Sequence, residues 1–394
     1  MKVYLDYSAT TPISSEVKEA MMPYFCDAFG NADSVHSFGR KAAYAVDEAR
    51  RAVAKAINAL PKEIIFTSGG TEADNFAIKG LARANADKGK RVIVSSIEHA
   101  AVLSSVRQLE KEGFEAVYLP VTEKGLVLPE TLKSALAEKP TALVSVMTAN
   151  NEIGTIQPVK ELAALSHEYG ALFHTDAVQA VGSLPIDVKE WDVDALSLSA
   201  HKFYGPKGVG ALFVKSGVKI EKLIEGGHQE KSMRGGTTPV MQIAGMGKAI
   251  SLAIENMKKN VEKVGKLRDY FVKKVMSALP EAKYNGDEKH RLAQNANFTF
   301  SFAEGDALVM ALDMAGIACS SGAACSSGSL EPSHVMKAIG YSDDDAKRSV
   351  RFSFGLYNTY EEIDYVVAKL SELSVSLPRA NSLIAPTAQK TKRV

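Results

Sequence analysis

Cysteine is scarce in this chain: three residues, Cys26, Cys319 and Cys325, among 394. So few thiols cannot build a disulfide framework, and a reducing cytoplasm is the compartment they suit. The five-residue gap between Cys319 and Cys325 does not match a zinc-ligand spacing, so no metal site is expected. Long hydrophobic runs are missing too. ALVSVM (142–147) is among the longest and falls far short of the ~20 apolar residues that cross a bilayer. Asp6 interrupts the opening MKVYLDYSATTP, which therefore does not read as a secretory signal. Neither sign of charge dominates. With 47 Lys+Arg against 46 Asp+Glu the net charge is +1, which leaves no footprint for nucleic acid or an anionic membrane. No internal repeat and no long low-complexity linker is present.

What is there fits an ordinary globular protein, with 46% hydrophobic and 24% charged residues. The length exceeds the roughly 250–300 residues at which single cores stop growing, so two domains are expected. Short apolar or β-branched runs recur at 63–68, 91–96, 115–120, 142–147, 171–176, 194–199 and 209–214, with amphipathic segments between most of them. Such alternation predicts an α/β domain whose seven-stranded sheet is mainly parallel and flanked by helices. A helical stretch from about Val240 to Leu279 leads away from it. Beyond Pro280 come short strands at 296–301 and 349–354 with helices near 305–315, 332–339 and 360–375, the pattern of a smaller α+β domain. The expected division is 15–260 for the large domain, and 1–14 with 261–375 for the small one. The polar segment 376–394 reads as a flexible tail.

Four constellations carry chemistry. In FTSGGTEADN (66–75) a strand ends on two glycines and a helix starts at Thr71. Backbone N–H groups there, with the Thr71 hydroxyl, could hold a phosphate; a tight turn with Thr71 as helix cap reads equally from the same letters. In SLSAHKFYGPKG (197–208), Lys202 follows a buried-looking strand, where desolvation lowers an amine's pKa and suits it to form a Schiff base; an exposed loop lysine is the alternative. In HTDAVQAVG (174–182), Asp176 ends a strand 26 residues before Lys202, so both can stand at the carboxyl edge of one sheet. An aspartate there would keep a pyridine nitrogen protonated, as pyridoxal phosphate (PLP) requires, with Gln179 near the ring oxygen; or it caps a helix. In SIEHAAV (96–102), His99 could stack on an aromatic ring or move protons, or serve structure alone.

A fifth stretch is SSGAACSSGS (320–329), which surrounds Cys325 with serine, glycine and alanine only. Such residues do not pack a core; they favour a mobile surface loop. A thiol on that loop could visit a cofactor and then an acceptor. Thiolate is the attacking form, and depressing the thiol pKa by about 1.5 units takes only ~2 kcal/mol. An inert loop thiol is the alternative. Cys319, after GIA, reads as a buried small hydrophobe and Cys26 as a helix-face packing residue. His174 and His228 read as structural.

The blocks LDYSATTP, FTSGGTEADN, EHAAV, MTANNEIGTIQPV, HTDAVQAVG, SAHKFYGPKG, MRGGTTPV, SSGAACSSGSLEPSHVM and RFSFG together resemble the cysteine desulfurases of the NifS/IscS group, fold-type-I PLP-dependent transferases of the class-V aminotransferase family. The resemblance covers nearly the whole chain. It implies removal of sulfur from L-cysteine to give L-alanine and a persulfide on Cys325, for iron–sulfur assembly or another acceptor protein. It implies that Lys202 forms the imine with PLP, that Asp176 pairs the ring nitrogen, that Gln179 reaches the ring hydroxyl and that His99 stacks on the ring. Gly70, Thr71, Ser199 and His201 would bind phosphate. Thr237 would reach the phosphate in a partner subunit, so a homodimer with composite active sites is implied. Asn151 and Arg351 would fix the substrate carboxylate, and an arginine fork suits that task. A transaminase needs the same parts up to the carbanion; the cysteine loop separates the two.

Overall fold

A computed structural model describes residues 1–321 and 331–377. Seven strands build the main sheet: β2 (Ile64–Thr67), β3 (Arg91–Ser95), β4 (Glu115–Leu119), β5 (Leu143–Ser145), β6 (Leu172–Asp176), β7 (Ala195–Ser199) and β8 (Gly210–Val214), preceded in the chain by β1 (Val3–Tyr4). Their order across the sheet is β2-β8-β7-β6-β5-β3-β4. Only β8 runs against its neighbours, so the sheet is mainly parallel, as expected from the seven apolar runs. Apart from the edge strand β4, every residue of these strands is buried. Helices cover both faces, and that is why the strands read as continuous rather than alternating hydrophobic runs.

A second, antiparallel sheet follows, in the order β12-β13-β10-β9, formed by β9 (Lys283–Tyr284), β10 (Asn295–Thr299), β12 (Ser320–Ser321) and β13 (Ser349–Ser353). Strand β1 pairs in parallel with β11 (Ile317–Ala318) beside it. Phe271, Phe298, Phe300, Phe352 and Phe354 fill its own hydrophobic core together with Val3, Leu5 and Leu370. The helical stretch that begins at Val240 is broken: one helix runs Val240–Glu255 and another Met257–Ala278. Asn256 marks the break, where both its backbone N–H and its side-chain amide donate to the Leu252 carbonyl.

The N-terminal segment ties the two sheets together. Asp6 bridges to Ser353, and five residues later the Thr11 N–H donates to the His201 carbonyl at 3.0 Å. The stretch between them, Tyr7 to Thr10, is thereby drawn across the carboxyl edge of the main sheet.

Candidate active site

Strands β2, β3, β5, β6 and β7 all end at one edge. After β2, Gly69 takes φ of 156° and ψ of −176°, a region nearly reserved for glycine, and the helix Gly70–Ala84 begins. Thr71 is therefore the second residue of that helix rather than its cap. After β3, His99 caps the helix Ala100–Lys111: its Nδ1 accepts the Ala101 N–H at 3.1 Å. In the neutral ring the proton then resides on Nε2. Strand β6 ends on Asp176, and β7 runs into a single 3₁₀ turn, Ala200–Lys202. From the second sheet, the middle of β13 contributes Arg351.

These elements line a cavity with about 880 Å³ of empty space, part of it open to solvent, bordered by Gly70, Thr71, His99, Asn151, Asp176, Gln179, Ser199, His201, Lys202 and Arg351 with Ser8, Ala9, Asp74, Met147 and Val178. Ten of the residues singled out in the sequence thus share one cavity. Thr237 does not line it and is exposed. Cys325 lies outside the described residues, as does 378–394, most of the expected tail.

Lys202 Nζ donates to the Ser8 carbonyl at 2.5 Å and the Ala9 carbonyl at 2.9 Å, and Gln179 Nε2 donates to the Ser8 carbonyl at 2.9 Å. Asp176 is buried, and its Oδ1 accepts the Val178 N–H at 2.8 Å. Burial raises its pKa, while His99, the Val178 N–H and Lys202 pull the other way. Asp74 is also raised, by burial first and then by the charge of Asp176. A cation beside Asp176, such as a protonated pyridine nitrogen, would favour its ionised form. Two further atoms, Ser8 Oγ and Asp74 Oδ1, are buried without a hydrogen-bond partner among the described residues, although such groups are normally satisfied. The donor set fits PLP: an amine for the imine, a carboxylate for the ring nitrogen, and a helix start with Thr71, Ser199 and His201 for the phosphate. His201 is held neutral, pushed down to about 4 by burial and then by Lys202 and Lys207. Its Nδ1 lies 3.1 Å from Thr10 Oγ1.

The class-V aminotransferase family model matches residues 3–366. The chain belongs to this family, in its cysteine desulfurase group. It is 52% identical over 372 residues to the cysteine desulfurase IscS of Dictyoglomus turgidum, covering 94% of each chain. A solved NifS-like protein, 36% identical, superposes with a TM-score of 0.90 over 96% of this chain and 100% of that one. SspA, solved in complex with cysteine, is 36% identical with a TM-score of 0.80 over 91% of this chain and 100% of its own. Class-V aminotransferases depend on PLP and share the fold-type-I architecture, in line with the cofactor and fold class read from the sequence.

Within this class-V site, sequence reasoning passed over Ala9, Asp74 and Asp6. The LDYSATTP block was a usable signal for Ala9. Nothing local marks Asp74, one helical turn past Gly70. Three smaller readings can be compared with the structure. Cys319 is buried, and burial raises its thiol pKa. His174 is buried between Ser145 Oγ at 2.9 Å and Ser197 Oγ at 3.0 Å and is pushed down to about 3 by burial, a neutral structural group. Cys26 is a correction. It sits in an exposed turn after the 3₁₀ turn Met22–Tyr24, because Pro23 ends the preceding helix. No helix among the described residues is long and apolar enough to cross a membrane.

Proposed function

We propose that the protein is a PLP-dependent cysteine desulfurase that takes sulfur from L-cysteine onto Cys325 and releases L-alanine. The observation that carries the reading is the single cavity bounded by Lys202, Asp176 and Arg351. When bound, PLP supplies an electron sink for the substrate α-carbon. The chain's residues do the rest. Arg351 and Asn151 hold the substrate carboxylate and so orient an amino acid that has few other handles. Lys202 Nζ holds the cofactor and moves the α-proton. Asp176 keeps the ring nitrogen protonated, Gln179 contacts the ring hydroxyl, and His99 covers the ring. Gly70, Thr71, Ser199 and His201 hold the phosphate. The Cys325 thiolate then bonds to the substrate sulfur as the Cβ–S bond breaks. The bonding pair stays with the departing amino acid, which gains protons to become alanine, and the sulfur remains on Cys325 as a persulfide.

The quaternary reading is a homodimer in which Thr237 reaches the phosphate of the partner's site. Large apolar side chains between residues 22 and 44 favour it: Val35 is 89% and Phe29 70% exposed, with Phe25, Phe38 and Tyr44 beside them in the sequence. A patch of this kind marks an interface. The segment just before the MRGGTTPV block (233–240) touches this stretch, where Gln229 Nε2 donates to Asp33 Oδ2 at 2.8 Å. The persulfide passes to an acceptor such as an iron–sulfur scaffold protein, in the cytoplasm. The domain division into 15–260 and 1–14 with 261–375 belongs to the same reading, with separate hydrophobic cores on its side.

Mass spectrometry of the holoenzyme after L-cysteine addition tests the reaction. Cys325 should gain one sulfur as alanine appears, and Cys325→Ser should lose sulfur release while keeping PLP. Alanine and sulfide formation that survives Cys325→Ser would sink it.

A further inference from the structure

We infer that Asp6 is a positioning residue for the substrate carboxylate, holding the Arg351 guanidinium in the orientation in which it meets that group. This rests on the reading of Arg351 as the carboxylate binder.

Arg351 is 2% exposed and sits mid-strand, paired with Asn297 on one side and Ser320 on the other. Its long side chain leaves the sheet and reaches the cavity. An unheld arginine would sample many rotamers there and lose its orientation. Two of its nitrogens are committed. Nη1 donates to the Asn151 carbonyl at 2.9 Å, and Nη2 donates to Asp6 Oδ1 at 2.8 Å. Nε is buried with no partner among the described residues. The guanidinium is therefore fixed at two corners and keeps donor capacity unspent, on a side chain that lines the cavity, a standing preference for an anion.

Asp6 can do this because it does not depend on Arg351 for its own place. Ser320 Oγ donates to the same Oδ1 at 2.9 Å. The Asp6 backbone bridges to Ser353, and its carbonyl accepts the Tyr4 hydroxyl and the Ala9 and Thr10 N–H groups. Charge matters as well. A bare guanidinium buried to this degree is costly, and an adjacent carboxylate makes the resting pair neutral. Ser320 lies five residues before Cys325 in the sequence. One carboxylate thus holds the carboxylate reader and the strand that leads into the nucleophile's segment.

A merely structural ion pair between the N-terminal segment and β13 predicts something different, and amine binding separates the two. The PLP-loaded protein is titrated with L-cysteine and with cysteamine, which lacks the carboxylate, and the visible absorbance change gives an apparent Kd for each. Asp6→Ala should weaken L-cysteine by about tenfold or more and cysteamine by less than about twofold. Asp6→Asn, which keeps an acceptor oxygen, should recover most of the loss. If Asp6→Ala does not fold, Ser320→Ala carries the test, with an expected change of about two- to fivefold for L-cysteine alone. Arg351→Lys is the control. If it weakens L-cysteine no more than cysteamine, the carboxylate reading of Arg351 falls, and the inference with it. If it weakens L-cysteine selectively while the Asp6 and Ser320 variants weaken both amines equally or neither, the inference alone is overturned.

Discussion

Lys202 Nζ lies 2.5 Å from the carbonyl oxygen of Ser8, a residue 194 positions away in the chain. The amine is thus held at the cavity by the N-terminal segment, where the proposed function would have it hold PLP. Lys202→Arg keeps the positive charge but cannot form that bond. The variant should lose the visible absorbance of the lysine-linked cofactor and roughly 10²–10⁴-fold of turnover, the usual worth of a proton-moving group. Absorbance spectra after reconstitution with PLP, read beside alanine production, check both. A wild-type spectrum in the variant would place the imine elsewhere.

The Tyr7 ring fills the space beside Gly355 so completely that a β-carbon there would come within 2.1 Å of Cε1. Tyr7 is buried, packs edge-on against Tyr4 at 5.0 Å, and is pushed up to about 12, chiefly by burial. Gly355→Ala must displace the ring and, with it, the Ser8 carbonyl that holds Lys202 and Gln179. Overpacking of this kind costs about 1–3 kcal/mol. The urea midpoint should fall accordingly. Adding Tyr7→Ala should make the second substitution far less harmful, a coupling that a double-mutant cycle reads directly. Additive losses would show that the contact does not matter.

Much of this architecture was legible in the letters, and for a physical reason. Strands buried on both faces need nearly continuous apolar residues, so the seven runs stood out from the amphipathic helices between them. Most of the cavity residues were legible because they stand at or after a strand end and belong to a block of unusual composition, whereas Arg351, in the middle of β13, was legible through its RFSFG block alone. What stayed hidden depends on contacts between distant parts of the chain. The two-residue strands β1, β9, β11 and β12 are too short to leave a pattern. Asp6 looks like any acidic residue near a terminus until β13 brings Arg351 within 2.8 Å of it. The break at Asn256 is equally silent, since asparagine is only mildly unfavourable inside a helix.

The exposed side chains of Phe29 and Val35 give the proposed dimer a sharp test. Replacing both by glutamate puts charge into a face that should be buried against a second copy. On the proposed reading, sedimentation velocity should show a dimer for the parent and a monomer for this variant. The monomer should also hold PLP more weakly, because Thr237 would no longer reach a partner's phosphate. An unchanged dimer would move the interface away from this patch.

The pH dependence of stability follows from Glu152. Its carboxyl is buried beside Asn151, where Oε2 accepts the Ser333 hydroxyl at 2.5 Å. Burial pushes it up to about 7 from an ordinary 4.5, with Ser333, Arg351 and His99 partly offsetting the rise. Between those two values the folded protein keeps a proton that the unfolded chain has released. Raising the pH through that window therefore favours unfolding, and the loss levels off above the folded value. From about pH 5.5 to about pH 8.5 the cost should be on the order of 2 kcal/mol. Glu98, pushed up to about 8 by burial, adds to the same trend, whereas His174, pushed down to about 3, opposes it. Comparison with Glu152→Gln removes both, since they are common to the two proteins. Urea midpoints measured at both pH values should fall further for the parent than for the variant. Parallel responses would mean that Glu152 is ionised throughout, its charge carried by the neighbouring Arg351.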